Sequence, residues 1–481
     1  MLLRDLADVR RLFRSLKGTF LGVGMTAYSR IIPGYFIEPY HIISLRKTRD
    51  LSCLRKKGKI FCLEEEIGGF LGEHGFNSSS LLAHPLVRRY LRGLPDPKYL
   101  FIYQNYPELE ALARDENWVL LANPSSLRLQ VGERPFFYKM VDDLRLNKIP
   151  GQISPFETLY SYGYTHWSER VSPRFVIHLL DVKQGGGKGT FFINSLEDYQ
   201  RLQDRLKGGV WRGIKLKSLS IHKFLNGIPA SLALCLTRYG IMVSGLQRQL
   251  IDLPYCEGMA EDGVFCGNAW GGTPWPSHIQ GEAMRQARLM GSYMAQLNYK
   301  GIVGIDFLIT EDEEQVYPLE CNPRLTGAFP MLSQHHLGHN IIPMEVFHIL
   351  EFSGVPYKID LHTLNSRYEM GIRGSHIILF SRSEGAHMGR ARLEAGLYEF
   401  DPETGRIHFL HEALDYPEIQ NDRQFIVIDG PPDMGAEGAI FQDPLQRICR
   451  ILFPFPILNE QEPFFSRALT ISENIYERLF Q

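Results

Sequence analysis

The chain has 481 residues, of which 44% are hydrophobic, so it is long enough for about two to four domains with cores of their own. Lys plus Arg (52) nearly balance Asp plus Glu (54), so no overall charge favours nucleic acid or an anionic membrane surface as a partner. No run of about 18 apolar residues could span a bilayer, and the N-terminal stretch lacks the apolar core of a signal peptide, so we expect a cytoplasmic protein.

The N-terminal part alternates short apolar runs with polar or basic stretches, a pattern typical of an open α/β sheet. The expected strands and the helical segment between them cover residues 19–24, 41–45, 60–63, 81–94 (helical), 99–103 and 118–122. Gly22 and Gly24 resemble the start of a dinucleotide motif, but the third glycine is missing, so we expect a tight turn there and no cofactor. The pattern changes after 123–126, and a helix follows over 136–146.

The next feature is a strand over 175–180, a glycine-rich turn and a second strand over 190–193. Four glycines and Lys188 fill positions 185–189, so the backbone is free to close over phosphates and a cation can face them. Walker A spacing is absent and no helix follows, so the turn is not a P-loop. A flexible hairpin tip is the alternative for this motif alone.

Two alternating apolar stretches around residue 310 carry the most informative pattern of the chain. If 316–324 is a strand, its period of two puts Glu320, Asn322 and Arg324 on one face. Residues 303–309 also alternate and should pair with it as a hairpin, because the residues between them are polar.

A five-residue loop centred on Glu313 would place Asp306 opposite Glu320 across this hairpin. Facing carboxylates destabilise a ladder unless a cation lies between them, and carboxylate and amide oxygens suit Mg²⁺. We therefore predict metal ligands at Asp306, Glu320 and Asn322. A hairpin with an acidic surface is the alternative.

Further candidate ligands lie on both sides of this hairpin. His335, His336 and His339 form an HHxxH pattern that lacks the acid of zinc proteases, so we expect packed or solvated side chains, with a substrate-facing role as the alternative. The seven cysteines, including Cys256 and Cys266, have no CxxC spacing and fit reduced thiols. Strands over 375–381, 396–400, 406–410 and 425–428 and a helix near 472–479 indicate a mainly β C-terminal part.

Together, Asp306, Glu320, Asn322 and Arg324 resemble the signature of the ATP-grasp superfamily, which includes the carboxylate–amine ligases. The resemblance implies that the acid pair and the Asn hold one or two Mg²⁺ ions, which Mn²⁺ can replace, on the phosphates of ATP. It implies that Arg324 steadies the transferring phosphoryl group as a catalytic residue.

The same resemblance implies an α/β and α+β multidomain fold with a Rossmann-like N-terminal domain, an ATP-grasp domain and a β-rich C-terminal domain of the biotin-carboxylase type. The expected limits are 1–127, 128–355 and 356–481, with the central domain divided into a glycine-loop subdomain (about 150–225) and a metal-binding subdomain (about 226–355).

The resemblance also assigns the ATP-binding residues. The glycine-rich turn would cover the phosphates, with Lys188 acting also in catalysis; its residues are Gly185, Gly186, Gly187, Lys188 and Gly189. The strand over 216–225 would be the hinge that reads adenine, with the carbonyl of Lys223 and the amide of Leu225. Lys139 matches a phosphate-contacting lysine, and His178 stands where many relatives carry another. Many relatives also carry a hinge glutamate, which this chain lacks.

The activity implied is an ATP-dependent ligase that activates a carboxylate as an acyl phosphate and joins it to an amine, releasing ADP and phosphate. The expected partners are small-molecule carboxylate and amine substrates, not nucleic acid or membrane; the oligomeric state stays open, and a homodimer is compatible with the pattern. Two alternatives remain: bicarbonate activation like that of biotin carboxylase, and a nucleotide-binding protein without turnover.

Overall fold

The computed structural model describes residues 1–69, 71, 76–182, 189–256, 263–271, 275–312, 314–381, 387–388, 393–433, 439–440, 446–458 and 463–480. Three sheets carry the architecture, and they follow one another along the chain. A cleft opens where the three meet.

The N-terminal part is built on a parallel five-stranded sheet. Its strands are β1 (Thr19–Gly24), β2 (Tyr40–Ser44), β3 (Lys59–Cys62), β4 (Lys98–Phe101) and β5 (Trp118–Leu120), in the order β3-β2-β1-β4-β5. Around it lie α1 (Leu6–Arg14), α2 (Leu51–Leu54), α3 (Leu63–Ile67), α4 (Ser78–Ala83), α5 (Pro85–Arg92) and α6 (Pro107–Asp115), with 3-10 turns at Tyr28–Arg30 and Ile32–Tyr35. All sheet pairs are parallel, so the Rossmann-like prediction is confirmed.

Two details of this part differ from the predictions. The helical segment over 81–94 is two helices, because Pro85 has no amide hydrogen and begins α5 after a cap at His84. The tight turn expected at Gly22 and Gly24 is wrong, because both residues belong to β1.

The second sheet has four antiparallel strands and follows two helices. The helices and strands are α7 (Ser125–Gly132), α8 (Arg134–Asp143), β6 (Gly151–Pro155), α9 (Thr158–Ser161), α10 (Tyr164–Arg170), β7 (Phe175–Leu179), β8 (Thr190–Ile193), α11 (Leu196–Arg205), β9 (Val210–Trp211), β10 (Ile214–Lys215) and β11 (Ser218–Lys223). The sheet order is β6-β11-β7-β8, and β9 and β10 pair separately. Trp167, Tyr199 and Leu219 are among the buried residues of its core.

The third sheet has eleven antiparallel strands and runs from the middle of the chain to its C-terminal part. Its strands are β12 (Gly227–Thr237), β13 (Gly240–Val243), β14 (Gln247–Ile251), β15 (Phe265–Trp270), β16 (Gly301–Thr310), β17 (Val316–Asn322), β18 (Gly374–Phe380), β20 (Gly396–Asp401), β21 (Arg406–His411), β22 (Gln424–Ile428) and β24 (Arg447–Phe453), while β19 (His387–Met388) and β23 (Ala439–Ile440) pair with each other. The helices are α12 (Ser277–Gln296), α13 (Phe329–Gly338), α14 (Met344–Ser353), α15 (Leu361–Tyr368) and α16 (Pro463–Phe480), with 3-10 turns at Pro254–Cys256 and Tyr416–Glu418.

The β-rich C-terminal prediction is confirmed, and its strands continue the central sheet. The junction is the pair of β15 with β18, where Asn268 lies opposite His376. The C-terminal strands therefore share a hydrogen-bonded sheet with the hairpin of β16 and β17. The domain boundaries proposed at 127 and 355 stay predictions.

The remaining sequence expectations concern cysteines and membrane segments. All seven cysteines are buried free thiols, and the Sγ atoms of Cys256 and Cys266 lie 3.3 Å apart. Within the described residues, no helix is both long enough and apolar enough to cross a membrane.

His335 and His336 lie buried in α13, whereas His339 is exposed at its end. Both ring nitrogens of His336 lack a hydrogen-bond partner in the described part of the chain. Burial, followed by the nearby His339, lowers the pKa of His336 from 6.5 to about 3. His335 and His336 therefore belong to the protein core and His339 to the surface, as the interpretation of packed or solvated side chains expects.

We expect this buried histidine to make the protein acid-labile. Between about pH 6.5 and pH 3 His336 is protonated in the unfolded chain but not in the folded protein. The free energy of unfolding therefore decreases by up to about 1.4 kcal/mol for each pH unit by which the pH is lowered. The His336→Phe variant should show a shallower decline of the urea midpoint between pH 7.5 and 4.5, whereas His362→Phe, at an exposed position, should follow the wild type. Equal slopes for His336→Phe and wild type would refute the assignment.

Candidate active site

A cleft of about 1550 Å³ lies at the junction of the three sheets. One wall comes from the ends of β7, β8 and β11, and the opposite wall from β16 and β17. Residues that follow β1 and β4 in the N-terminal sheet close its far end.

Asp306 of β16 and Glu320 of β17 are paired directly across the ladder, as predicted. The Asn322 side-chain amide donates to Asp306 Oδ2 at 2.8 Å and to Glu320 Oε1 at 3.3 Å. The structure therefore brings all three predicted metal ligands together on the side of the hairpin that faces the cleft.

The pairing arises differently from the expected five-residue loop. Thr310 donates its amide to the carbonyl of Gln315, so the loop is shorter by one residue, and Phe307 pairs with Pro318. The register then shifts by one residue at Leu319, between the pairs that Phe307 and Asp306 make, which brings Asp306 opposite Glu320. Such bulges are frequent beside active sites because they redirect a side chain.

The carboxylates of Asp306 and Glu320 repel each other across the hairpin. Burial first, and then repulsion by Glu320, raise the pKa of Asp306 well above its ordinary value. Gln249 of β14 also donates to Asp306 Oδ1 at 3.0 Å. A divalent cation would remove this repulsion, and the oxygens of Asp306, Glu320 and Asn322 suit Mg²⁺. Among the described residues no group of three or more His, Cys, Asp or Glu is arranged for a metal, so the ligand set depends on the amide oxygen of Asn322. This oxygen accepts from Arg324, while the amide nitrogen faces the two acids, so the amide would turn to bind the ion.

Arg324 follows the end of β17, because its amide closes a turn onto the carbonyl of Asn322 at 2.7 Å. Its guanidinium donates to Asn322 Oδ1 at 2.9 Å and to the carbonyl of Leu325 at 3.1 Å. The predicted cation therefore lies next to the predicted metal ligands, although the strand ends two residues earlier than expected.

The hinge segment offers backbone groups to the cleft. The Lys223 amide donates to the carbonyl of Pro150 at 2.8 Å, but Pro150 has no amide hydrogen to return the bond. Among the described residues, neither the carbonyl of Lys223 nor the amide of Leu225 has a backbone partner, and both residues line the cleft. An adenine edge needs one acceptor and one donor, so the geometry fits the predicted hinge.

The remaining phosphate-binding predictions have different outcomes. Residues 185–188, including Gly185, Gly186, Gly187 and Lys188, lie outside the described residues, while Gly189 lines the cleft beside Val182. His178 also lines the cleft and contacts Thr190 Oγ1 at 2.9 Å through Nδ1. Burial, then Arg134 and His222, lower the pKa of His178 well below its usual value, so it is neutral near pH 7.

Lys139 does not join the site. Its exposed ammonium pairs with Asp143 at 2.6 Å on the outer face of α8. On the cleft face of this region lie Arg134, which donates to the carbonyl of Leu319 at 3.1 Å, and Lys148. The lysine assignment is therefore corrected, and Arg134 and Lys148 are the cleft cations near this helix.

Sequence reasoning also missed Gln249 and Asn268, which pair across β14 and β15. Asn268 lines the cleft, and its buried Oδ1 lacks a partner among the described residues. Polar and apolar residues do not alternate in 247–251 or in 265–270, so no period of two marks these strands in the sequence.

The family model of the ATP-grasp domain matches residues 182–328. This segment is an ATP-grasp domain. It contains Lys223 and Leu225 at the hinge and all four polar residues of the hairpin. No curated protein sequence matches this chain.

Solved ATP-grasp structures match nearly the whole chain. The biotin carboxylase domain of Hydrogenobacter thermophilus 2-oxoglutarate carboxylase, solved with MgADP and bicarbonate, is 12% identical with a TM-score of 0.56, over 92% of this chain and 87% of that one. Biotin carboxylase of Campylobacter jejuni is 10% identical with a TM-score of 0.57, over 97% and 92%. Phosphoribosylamine–glycine ligase of Thermotoga maritima is 13% identical with a TM-score of 0.54, over 95% and 96%. At these identities the similarity establishes the ATP-grasp fold.

Proposed function

We propose that this protein is an ATP-dependent carboxylate–amine ligase. A carboxylate oxygen of the first substrate attacks the γ-phosphorus of ATP, the bond from this phosphorus to the bridging oxygen breaks, and ADP leaves. The amine of the second substrate then displaces phosphate from the acyl phosphate to form an amide, and its proton goes to solvent. The protein itself supplies no nucleophile.

The observation that carries the proposal is the hairpin, which directs two carboxylates, an amide and a guanidinium into one large cleft. Asp306 is half-buried beside a second acid, and desolvation and repulsion raise its pKa, an arrangement that destabilises a fold unless the charge is compensated. The cleft also provides the free hinge carbonyl and amide at its other wall. Both ATP-grasp structures of biotin carboxylases named above support ATP as the nucleotide, since one contains MgADP and the other an ATP analogue.

Each group of this chain has a defined task in the reaction. Lys223 and Leu225 bind the adenine edge through the backbone, and the triphosphate extends toward the hairpin. Asp306, Glu320 and Asn322 would hold Mg²⁺, which neutralises the charge of the phosphate oxygens when bound. Arg324 stabilises the phosphoryl group in the transition state, because its guanidinium is already oriented by Asn322 and Leu325. Gly189 lines the cleft, and by the ATP-grasp resemblance the glycine-rich turn with Lys188 would cover the phosphates and exclude water.

The corrected lysine assignment gives a test of the nucleotide site. Lys139→Ala should leave the affinity for MgADP within about twofold of wild type, because Lys139 lies outside the cleft. Arg134→Ala should weaken MgADP binding by about tenfold, since it removes a cleft cation and leaves Glu320 without its 3.4 Å partner. Calorimetric titration measures both affinities, and equal losses in the two variants would show that the cleft is not the nucleotide site.

The function itself is tested by ADP release from the wild-type protein with ATP, Mg²⁺ and pools of carboxylates and amines, with mass spectrometry of the condensation products. A ligase releases ADP in repeated turnovers only when both a carboxylate substrate and an amine substrate are present. Release that depends on bicarbonate alone would instead support the carboxylase-like alternative.

A nucleotide-binding protein without turnover is the second candidate, and His178 favours it. Where many ATP-grasp proteins carry a lysine, this chain has a neutral, half-buried imidazole, so one cation is missing from the phosphate region. This candidate predicts MgADP binding together with no product in any pool. A His178→Lys variant that gains product would show that the cation is the missing element.

A further inference from the structure

The end of the cleft beyond Arg324 contains two arginines, Arg30 and Arg128, that the ligase mechanism does not use. Arg30 comes from the 3-10 turn after β1, and Arg128 from α7. In the part of the chain that the structure describes, no carboxylate forms an ion pair with either. Buried or half-buried guanidinium groups without a counter-charge are rare, because desolvation of the charge is costly.

Hydrogen bonds to two backbone carbonyls fix the position of the Arg30 side chain. Its side chain is 5% exposed, Nε donates to the carbonyl of Val23 at 2.9 Å, and Nη1 donates to the carbonyl of Ser29. A Cβ at Gly22 would lie 2.7 Å from Arg30 Cβ, and one at Gly24 would lie 3.2 Å from Arg30 Cγ. The two glycines that resemble a dinucleotide motif therefore make room for this arginine.

Tyr103 connects Arg30 with the catalytic region. The Arg30 guanidinium lies 5.7 Å from the Tyr103 ring centre, and the Arg324 guanidinium lies 5.0 Å from the same ring. Arg324 also contacts Asn322, one of the predicted metal ligands. The Tyr103 ring lies between Arg324 and Arg30, so Arg30 is the more distant of the two arginines from these ligands.

Arg128 lines the same end of the cleft. Its guanidinium lies 5.5 Å from the ring of Tyr106, and its buried Nε has no hydrogen-bond partner within the described residues. Burial lowers the pKa of Arg128, Tyr106 opposes this shift, and the positive charge of Arg324 lowers the pKa further. An unpartnered donor of this kind indicates a ligand atom that completes its shell.

Two buried carboxyl groups act on Arg30 without forming an ion pair with it among the described residues. Burial lowers the pKa of Arg30 and Asp429 opposes this shift. The Oδ2 atom of Asp429, however, is paired with Arg447 and Arg450. Ser333 Oγ lies 2.7 Å from both oxygens of Glu345. Burial raises the pKa of Glu345 to about 7, so Glu345 is only partly ionised near neutral pH and offsets the charge of Arg30 in part.

We propose that Arg30, Tyr103 and Arg128 form a subsite for an anionic group that the acceptor substrate carries in addition to its reacting group. The additional group is a second carboxylate or a phosphate, since a guanidinium fork recognises both. The conclusion that the bound molecule is an acceptor substrate rests on the proposed ligase function. The binding of an anion at this place does not require turnover.

The first experiment is a binding titration of the full chain saturated with the magnesium complex of a non-hydrolysable ATP analogue, so that the positions of all three phosphates are already occupied. Glutarate and inorganic phosphate are the probes, and they separate a carboxylate subsite from a phosphate subsite. We expect at least one probe to bind to the wild type and to bind about tenfold more weakly to Arg128→Gln. Arg128→Lys should lose less affinity, because it keeps the charge, and Arg89→Gln, on the exposed face of α5, should bind as wild type.

The second experiment uses any substrate pair found in the product screen. An acceptor with an additional anionic group should show a KM about tenfold higher with Arg128→Gln, while kcat and the affinity for MgADP change little. Binding of neither probe, equal binding by Arg128→Gln and wild type, or an acceptor without an additional charge would overturn the subsite. Because the titration needs no product, a failed screen with intact probe binding would count against the ligase and not against the subsite.

Discussion

The Glu320→Gln variant should lose acceptor-dependent ADP release by at least about a hundredfold. Glutamine keeps the shape of the side chain but removes one of the two charges that would hold the divalent ion, and Asp306 cannot replace it from the opposite strand. Asn322→Ala should have a comparable effect, because its amide contacts both acids and its oxygen orients Arg324. Initial rates of ADP release at saturating ATP measure the loss.

A matched control is available on the same hairpin. Glu314 lies in its exposed loop, and the Glu314→Gln variant makes the same chemical change away from the cleft. It should retain wild-type rates. Circular dichroism should be unchanged for all variants, since none alters the sheet, and wild-type ADP release by Glu320→Gln would exclude the metal assignment.

The Asp429→Asn variant should lower the free energy of unfolding by about 3–5 kcal/mol. Asp429 is fully buried, and its Oδ2 lies 3.1 Å from Arg447 and 3.2 Å from Arg450, which is also buried. Burial alone would raise the pKa of Asp429, but the two arginines outweigh it and the pKa is lowered. Removal of its charge leaves a buried guanidinium without an anion.

The Asp429→Asn substitution changes the charge of the ion cluster without changing the backbone conformation. Asp429 has a φ of 59°, a left-handed conformation that Asn also adopts readily, so the substitution adds no backbone strain. Asp433→Asn removes the half-exposed pair with Lys47 at 2.9 Å and should have an effect of no more than about 1 kcal/mol. Urea unfolding followed by tryptophan fluorescence compares the two, and equal losses would show that the buried cluster is not a major source of stability.

The Asp429 cluster also explains how distant parts of the chain are joined. Thr26, which follows β1, donates to Asp429 Oδ1 at 2.6 Å, and Asp50 accepts from the Asp429 amide at 3.0 Å. Arg450 in turn donates to the carbonyl of Gly327 beside the cleft. The N-terminal sheet, the C-terminal strands and the segment after the metal hairpin are thus tied together at one point.

The sequence was sufficient for the hairpin because its information is local. The two strands are neighbours in the chain, and alternation alone identifies which residues share a face, so Asp306, Glu320 and Asn322 were found without any knowledge of the sheet. The bulge at Leu319 was not predictable, since a one-residue register shift leaves no compositional trace. The correct pairing was therefore reached with a loop that is one residue too long.

Residues contributed by distant elements could not be found in this way. Gln249 reaches Asp306 only because β14 and β16 both pair with β12, an order that follows from packing of the complete sheet. Lys139 and Arg134 lie in the same helix, and which of them faces the cleft depends on how α8 packs against β17. The free carbonyl of Lys223 depends on Pro150 in another strand pair.

The most direct test of the proposed site is a crystal structure of the protein with ADP and Mn²⁺, whose anomalous signal locates the metal directly. We expect a peak at about 2.0–2.3 Å from oxygens of Glu320 and Asn322 or Asp306, with phosphate oxygens on its other side. A nucleotide bound in the cleft without a metal peak at the hairpin, or a peak held by other residues, would contradict it.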